Sequence, residues 1–204
     1  MQTPPPGGIS QNRTANDQIR VALADVEPKP WKNGCGVTRE LLLWPKDSAW
    51  RIRVSVATIS TDSPFSTYEG VTRWFTIVDG GGVELRVDGK PHRLPFGSAP
   101  FSFEGGADTF CRLLGGTTLA LNVMLRTCDG ELVETKNASF RQRSDLTCLF
   151  YDASGPYSAI GQPVNERSWI LLCRQRELVV EPFLVEDLGA KAHRGWWITV
   201  GAHP

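Results

Sequence analysis

The sequence lacks an excess of either charge: its 204 residues carry 22 Lys and Arg against 22 Asp and Glu, a formal net charge of zero. A protein that grips nucleic acid or an anionic membrane surface presents a basic footprint, so neither partner is expected. It also lacks any apolar run near 18 residues, and its opening stretch MQTPPPGGISQNRTANDQ has neither an apolar nor a basic block. Membrane insertion and secretion are therefore not expected, and a cytoplasmic location is. Histidine is scarce, with only His92, His193 and His203, none within five residues of another. That scatter offers no metal-ligand spacing, and no metal or other cofactor is expected. Cys35, Cys111, Cys128, Cys148 and Cys173 form no C-x-x-C pair, so they read as reduced thiols buried as small hydrophobes. No G-x-S-x-G marks a nucleophile, and Gly80-Gly81-Gly82 lacks the Lys-Ser/Thr that completes a phosphate loop.

What the chain does have is period two. Trp50, Ile52, Val54 and Val56 alternate with Arg51, Arg53, Ser55 and Ala57. An apolar run from Trp74 to Val78 meets the turn Asp79-Gly80-Gly81-Gly82, after which Val83, Leu85 and Val87 alternate with Glu84, Arg86 and Asp88. This pattern reads as a β-hairpin, and Asp88-Gly89 marks a second turn. Further strands are expected at Phe101–Phe103, Thr109–Leu114, Leu119–Leu125, Leu146–Tyr151, Ser168–Arg174, Glu177–Val185 and Trp196–Val200. Short strands punctuated by 20 Gly and 14 Pro indicate an all-β sandwich or barrel. Residues 1–18 hold almost no large apolar side chains and read as a loose tail. The run from Trp74 through Glu84-Leu85-Arg86-Val87 has a faint echo in Trp169 through Glu177-Leu178-Val179-Val180, as two related halves would show. Polar Asn122 to Ser144 reads as the connection between them.

Two segments could carry chemistry. Pro30 to Glu40 packs Lys32, Asn33, Thr38 and Arg39 around Gly34 and Gly36, which is either an anion-binding loop or a solvated turn leading into a strand. In the strand after Trp50, burial of Ile52, Val54 and Val56 puts Arg51, Arg53, Ser55 and Ala57 on the other face. That face is wet in an open sheet. In a closed barrel it lines the lumen, where a guanidinium must meet an anion.

Several blocks, in order, resemble the HutD/Ves family: Pro30-Trp31-Lys32-Asn33-Gly34 with Gly36, Thr38, Arg39 and Glu40; Arg53-Val54-Ser55-Val56-Ala57; Pro64-Phe65-Ser66; Gly70; Arg73; Gly80 with Gly82; and Asn122-Val123-Met124 with Arg126. The resemblance implies a bicupin, two cupin-type β-barrels fused in one chain. Residues 19–126 would form the half that carries the pocket, and residues 127–204 the second half. It also implies a non-catalytic role in histidine utilisation or a stress response, through binding a carboxylate metabolite such as N-formylglutamate or urocanate. Cys35 and Ala120 depart from the family, which usually has Gly and Asp there. Setting the last glycine of the metal-cupin motif at Gly80 puts Arg73 where that motif has its glutamate. Its histidine positions fall on Ser66 and Tyr68, or on Thr67 and Glu69 for the shorter spacing.

A cation in place of a metal-binding carboxylate favours an anionic guest. In this reading Lys32, Asn33, Arg53 and Arg73 contact the anion, Thr38, Ser55, Ser66 and Asn122 add neutral hydrogen bonds, and Trp31 and Phe65 wall the pocket. Arg39 and Glu40 form an ion pair that positions the loop. The alternative is a metal-free isomerase or hydrolase that uses Lys32 or Tyr68 as acid or base. Exposed sheet edges suit a homodimer.

Overall fold

The computed structural model describes residues 18–46, 48–135, 145–152, 169–175 and 195–201. Among them the regular structure is β apart from a 3-10 turn at Leu23–Asp25 and a 3-10 residue at Thr135. The strands are β1 (Gln18–Ala22), β2 (Lys29–Pro30), β3 (Gly36–Trp44), β4 (Ile52–Ile59), β5 (Ser63–Pro64), β6 (Val71–Asp79), β7 (Val83–Val87), β8 (Lys90–Leu94), β9 (Phe101–Glu104), β10 (Thr109–Leu113), β11 (Thr118–Arg126), β12 (Gly130–Glu134), β13 (Leu146–Asp152), β14 (Trp169–Gln175) and β15 (Gly195–Val200). They form a six-stranded sheet β2-β3-β4-β11-β6-β9, a four-stranded sheet β5-β10-β7-β8 and a five-stranded sheet β1-β14-β13-β15-β12. This is the all-β, bicupin-type class expected from the resemblance. Its sheets pack face to face rather than joining into closed barrels among the described residues. No helix there is long and apolar enough to cross a membrane.

The six-stranded sheet is the middle layer, and strand alternation explains how it serves two cores. On one face Ile52, Val54 and Val56 of β4 join Val123 of β11 against Phe150, Trp169 and Trp196 of the five-stranded sheet. On the other face Ala57 and Ile59 join Phe75, Ile77 and Ala120 against Val83, Leu85 and Cys111 of the four-stranded sheet. Strands buried on both faces accept apolar residues at consecutive positions, which is why β6 and β11 read as runs.

Several expectations change here. The Gly80-Gly81-Gly82 segment is not a hairpin turn, because β6 lies in the six-stranded sheet and β7 in the four-stranded one. It is a corner between layers: a Cβ at Gly81 would lie 2.5 Å from the Gly115 carbonyl oxygen, and one at Gly82 2.5 Å from that of Leu94. The true hairpin is β7–β8, turned by Asp88 and Gly89 at φ 47° and 78°. The stretch from Asn122 to Ser144 is not merely a connection, since it contains the end of β11 and all of β12. Arg51 leaves the face of Arg53; it precedes β4 and donates to Asp145 at 3.3 Å and to the Gly201 carbonyl at 3.2 Å. Cys148 and Cys173, expected as thiols, sit directly opposite each other on β13 and β14 and form a disulfide. Pairing set by sheet register is invisible to a search for local cysteine spacing. The expected tail lies outside the described residues except for Gln18, which opens β1. The expected strand Glu177–Val185, the echo within it, His193 and His203 also lie outside them.

Candidate functional site

Over one face of the six-stranded sheet, beside the loop between β2 and β3 and the segment after β5, a cavity of about 460 Å³ opens. Its floor is a gradient along three neighbouring strands. The deepest row, Ala57–Ala120–Ile77, is apolar core; the next, Ser55–Asn122–Phe75, is mixed; the third, Arg53–Met124–Arg73, carries two guanidiniums. Directly paired residues point to the same face, so both arginines enter the cavity, two strand spacings or about 10 Å apart. On β3 Glu40 faces the same cavity, and the register shift between Glu40 and Leu42 lets Leu41 and Leu42 both stay buried.

The two arginines differ in their partners. Arg53 Nε donates to Glu40 Oε2 at 2.7 Å, and its Nη1 donates to the Tyr68 hydroxyl at 3.3 Å. Arg73 is only 5% exposed, yet it forms no ion pair among the described residues. Its Nη1 donates to the Ser66 carbonyl at 3.3 Å, while Nε finds no acceptor among the described residues. Glu84, on the outer face of β7, pairs with Arg112 at 3.2 Å. The Arg73 guanidinium lies 4.8 Å from the ring centre of Phe65 and 5.2 Å from that of Phe103. Burial lowers its pKa to about 10, with Tyr68 opposing the shift and Arg53 adding to it, so it stays charged at neutral pH. Buried charges are ordinarily paired with an opposite charge, and this one lacks that partner.

The rim comes from the β2–β3 hairpin. Its loop is closed by Trp31 N–H donating to the Gly36 carbonyl at 2.9 Å, and by Asn33 Oδ1 accepting the Cys35 N–H at 3.1 Å. Trp31 Nε1 donates to Thr38 Oγ1 at 2.7 Å, which fixes the indole as a wall. Gly36 makes room for it: a Cβ there would meet the Thr58 carbonyl oxygen and come within 3.3 Å of the ring. Gly36→Ala is expected to lower stability by about 1–3 kcal/mol through overpacking, measured by urea unfolding. Loss of less than about 0.5 kcal/mol would show that the indole has somewhere else to go.

All ten residues singled out from the sequence, Trp31, Lys32, Asn33, Thr38, Arg53, Ser55, Phe65, Ser66, Arg73 and Asn122, line this one cavity. Ser66 and Tyr68 face it, so the longer motif spacing matches the cavity; Thr67 and Glu69 are not in its lining. The expected Arg39–Glu40 pair does not form. Neighbours on a strand point to opposite faces, and Glu40 serves Arg53 instead. Cys35 and Ala120 are also absent from the lining, and Ala120 sits one row deeper in apolar core. Among the residues missed, Lys29, Glu40, Phe75 and Met124 each lie two positions along the chain from a residue that was named. Carrying the period-two rule one step further would have found them.

Four cations, Lys29, Lys32, Arg53 and Arg73, thus face one carboxylate, Glu40. Among the described residues no group of three or more His, Cys, Asp or Glu side chains gathers to hold a metal ion.

A family model described as HutD matches residues 23–181. The chain belongs to the HutD family. It is 38% identical over 117 residues to an uncharacterized 21.2 kDa protein in the hutC 3' region of Pseudomonas putida, covering 52% of this chain and 58% of that protein. It is 37% identical over 101 residues to Protein Ves of Citrobacter koseri, covering 47% and 51%. The matches thus span little more than half the length of these curated relatives. Among solved structures, HutD from Pseudomonas fluorescens SBW25, determined in a formate condition, aligns with a TM-score of 0.66 at 20% identity over 91% of this chain and all of that one. A conserved protein of unknown function from Pseudomonas aeruginosa PAO1 gives 0.64 at 20% identity over 90% and 99%. At that identity the two structures share the fold with this chain and carry no assignment of ligand.

Proposed function

We propose that this HutD-family protein is a non-catalytic, cytoplasmic binder of a small carboxylate metabolite, and that binding modulates histidine utilisation or a stress response. The observation that carries the reading is Arg73, a guanidinium 5% exposed and without a carboxylate partner among the described residues, at the floor of an excess-positive cavity. A ligand carboxylate would supply the missing charge through short, charge-assisted hydrogen bonds. The cavity, about 460 Å³, suits a metabolite of N-formylglutamate or urocanate size. A link to histidine utilisation is supported by the Pseudomonas putida relative in the hutC 3' region, and a stress role by the Ves relatives. Partners of this reading are the small ligand and a second copy of the chain, not nucleic acid or membrane.

Thermal unfolding with N-formyl-L-glutamate and with urocanate tests it. At least one of them is expected to stabilise the protein, and Arg53→Ala and Arg73→Ala each to reduce the shift while the apo protein stays folded. Unchanged shifts in both variants would remove the site assignment. Among the described residues no histidine lines the cavity, and Arg73, with its pKa at about 10, keeps its charge. A carboxylate of ordinary pKa is ionised throughout the same range. Affinity for N-formyl-L-glutamate, which has no group titrating in this range, is therefore expected to change by less than about threefold between pH 6 and pH 9 by calorimetry, whereas a midpoint near 6.5 would implicate a histidine of the protein.

The enzymatic alternative rests on Tyr68, whose hydroxyl lies in the cavity 3.3 Å from Arg53 Nη1, within reach of a bound guest as an acid or base. Mass spectrometry of either compound after incubation with the protein decides between the readings: conversion above a buffer control supports catalysis.

A further inference from the structure

Arg73 is buried without a carboxylate among the described residues, so its charge is held by other means, and those means leave its donors free. The guanidinium carbon lies over the ring of Phe65 at 4.8 Å and over that of Phe103 at 5.2 Å. An aromatic face attracts a cation through its quadrupole and takes up no N–H in doing so. A carboxylate of the protein would have stabilised the same charge by occupying the donors. The two rings are anchored differently. Phe65 follows β5, donates its N–H to the Thr109 carbonyl at 2.8 Å and lines the cavity. Phe103 is 8% exposed, is absent from the lining and sits directly opposite Arg73 across β6 and β9. Side chains so paired share a face and touch. Behind Phe103 the ring of Phe101 stacks at 5.7 Å, and His92 of β8 packs on Phe101 at 4.4 Å. This aromatic file keeps Phe103 from turning away from the guanidinium.

We propose that Phe103 is a positioning residue of the cavity: it touches no guest and acts through Arg73, holding the guanidinium so that Nη1 stays on the Ser66 carbonyl while Nε is presented without an acceptor. This rests on the carboxylate reading above and adds to it a residue from outside the pocket wall. An arginine side chain has several rotatable bonds, and a guest that must order them binds more weakly. The ring of Phe103 orders them before the guest arrives. Leucine at the same place fills part of the volume but offers no π face, and it leaves the guanidinium free to swing. Tyrosine keeps the face.

The test reads Arg73 directly. In the unaltered apo protein its Nε–H is expected to give a single nuclear magnetic resonance signal displaced by ring currents, and N-formyl-L-glutamate is expected to move that signal. In Phe103→Leu the signal should broaden and return towards the position of an exposed arginine, and affinity by calorimetry should fall at least about fivefold. Phe103→Tyr should restore the signal, and the affinity to within about twofold of the parent. A folded Phe103→Leu with parental affinity, or a Phe103→Tyr that fails as Phe103→Leu does, would overturn the positioning role and leave the carboxylate reading standing. No heat of binding to the unaltered protein would remove the carboxylate reading and the role with it. An undisplaced or multiple Nε–H signal in the unaltered protein would overturn the role even where Phe103→Leu does not fold.

Discussion

Replacing Arg73 by methionine is expected to abolish ligand-induced stabilisation while leaving the apo protein as stable as the parent, or more so. Arg73 is buried with no opposing charge among the described residues, and its guanidinium rests against Phe65 and Phe103. Methionine keeps most of the side-chain volume and its contact with both rings, and it removes the desolvated charge. The ligand, by contrast, would lose its charge-assisted hydrogen bonds, each contributing about 1.5–3 kcal/mol, so affinity should fall at least about a hundredfold. Arg53→Met should behave differently. It leaves Glu40 without its 2.7 Å partner in a half-buried position, so the apo protein should lose about 1 kcal/mol or less. Thermal melts of the two variants with and without N-formyl-L-glutamate separate these behaviours. A strongly destabilised apo Arg73→Met would mean that Arg73 serves the fold rather than a guest.

The second large effect concerns the layer behind the site. Phe150→Ala is expected to lower stability by about 3–5 kcal/mol in urea unfolding. Phe150 is fully buried on β13, with ring centres of Trp169 and Trp196 at 5.1 and 6.3 Å, and it belongs to the core that also contains Val54 and Val123. Because β4 and β11 carry that core on one face and the cavity floor on the other, loss should appear as one cooperative transition that also removes ligand binding. Two separate transitions, with binding retained through the first, would show that the five-stranded sheet folds independently of the site. Phe110→Ala, on an exposed position of β10, is the control and should change stability by about 0.5 kcal/mol or less.

The cavity was legible in the sequence to the extent that strand alternation is. Arg53, Ser55 and Ala57 could be placed on one face from period two alone, and the structure puts all three in the lining. The family blocks brought in Arg73 and Asn122 from other strands, which no local pattern could have joined to β4. What alternation could not show was which side of Gly80-Gly81-Gly82 belonged to which sheet. A corner and a hairpin turn use the same glycines, and only the cross-layer contacts of Gly81 and Gly82 distinguish them. The bulge in β3 was equally hidden. Glu40 keeps the face of Thr38 two positions earlier, but the register shift that follows it, which lets Leu41 and Leu42 both stay buried, leaves no compositional trace. Cys148 and Cys173 show the same limit, since they lie 25 positions apart in sequence yet directly opposite across the sheet.

The most direct measurement is a crystal structure of the protein grown with N-formyl-L-glutamate. The account predicts a carboxylate seated on the Arg73 guanidinium within about 3 Å, with the Arg53–Glu40 pair intact beside it. A cavity without the ligand, with Arg73 turned onto an acidic side chain of the protein itself, would contradict it.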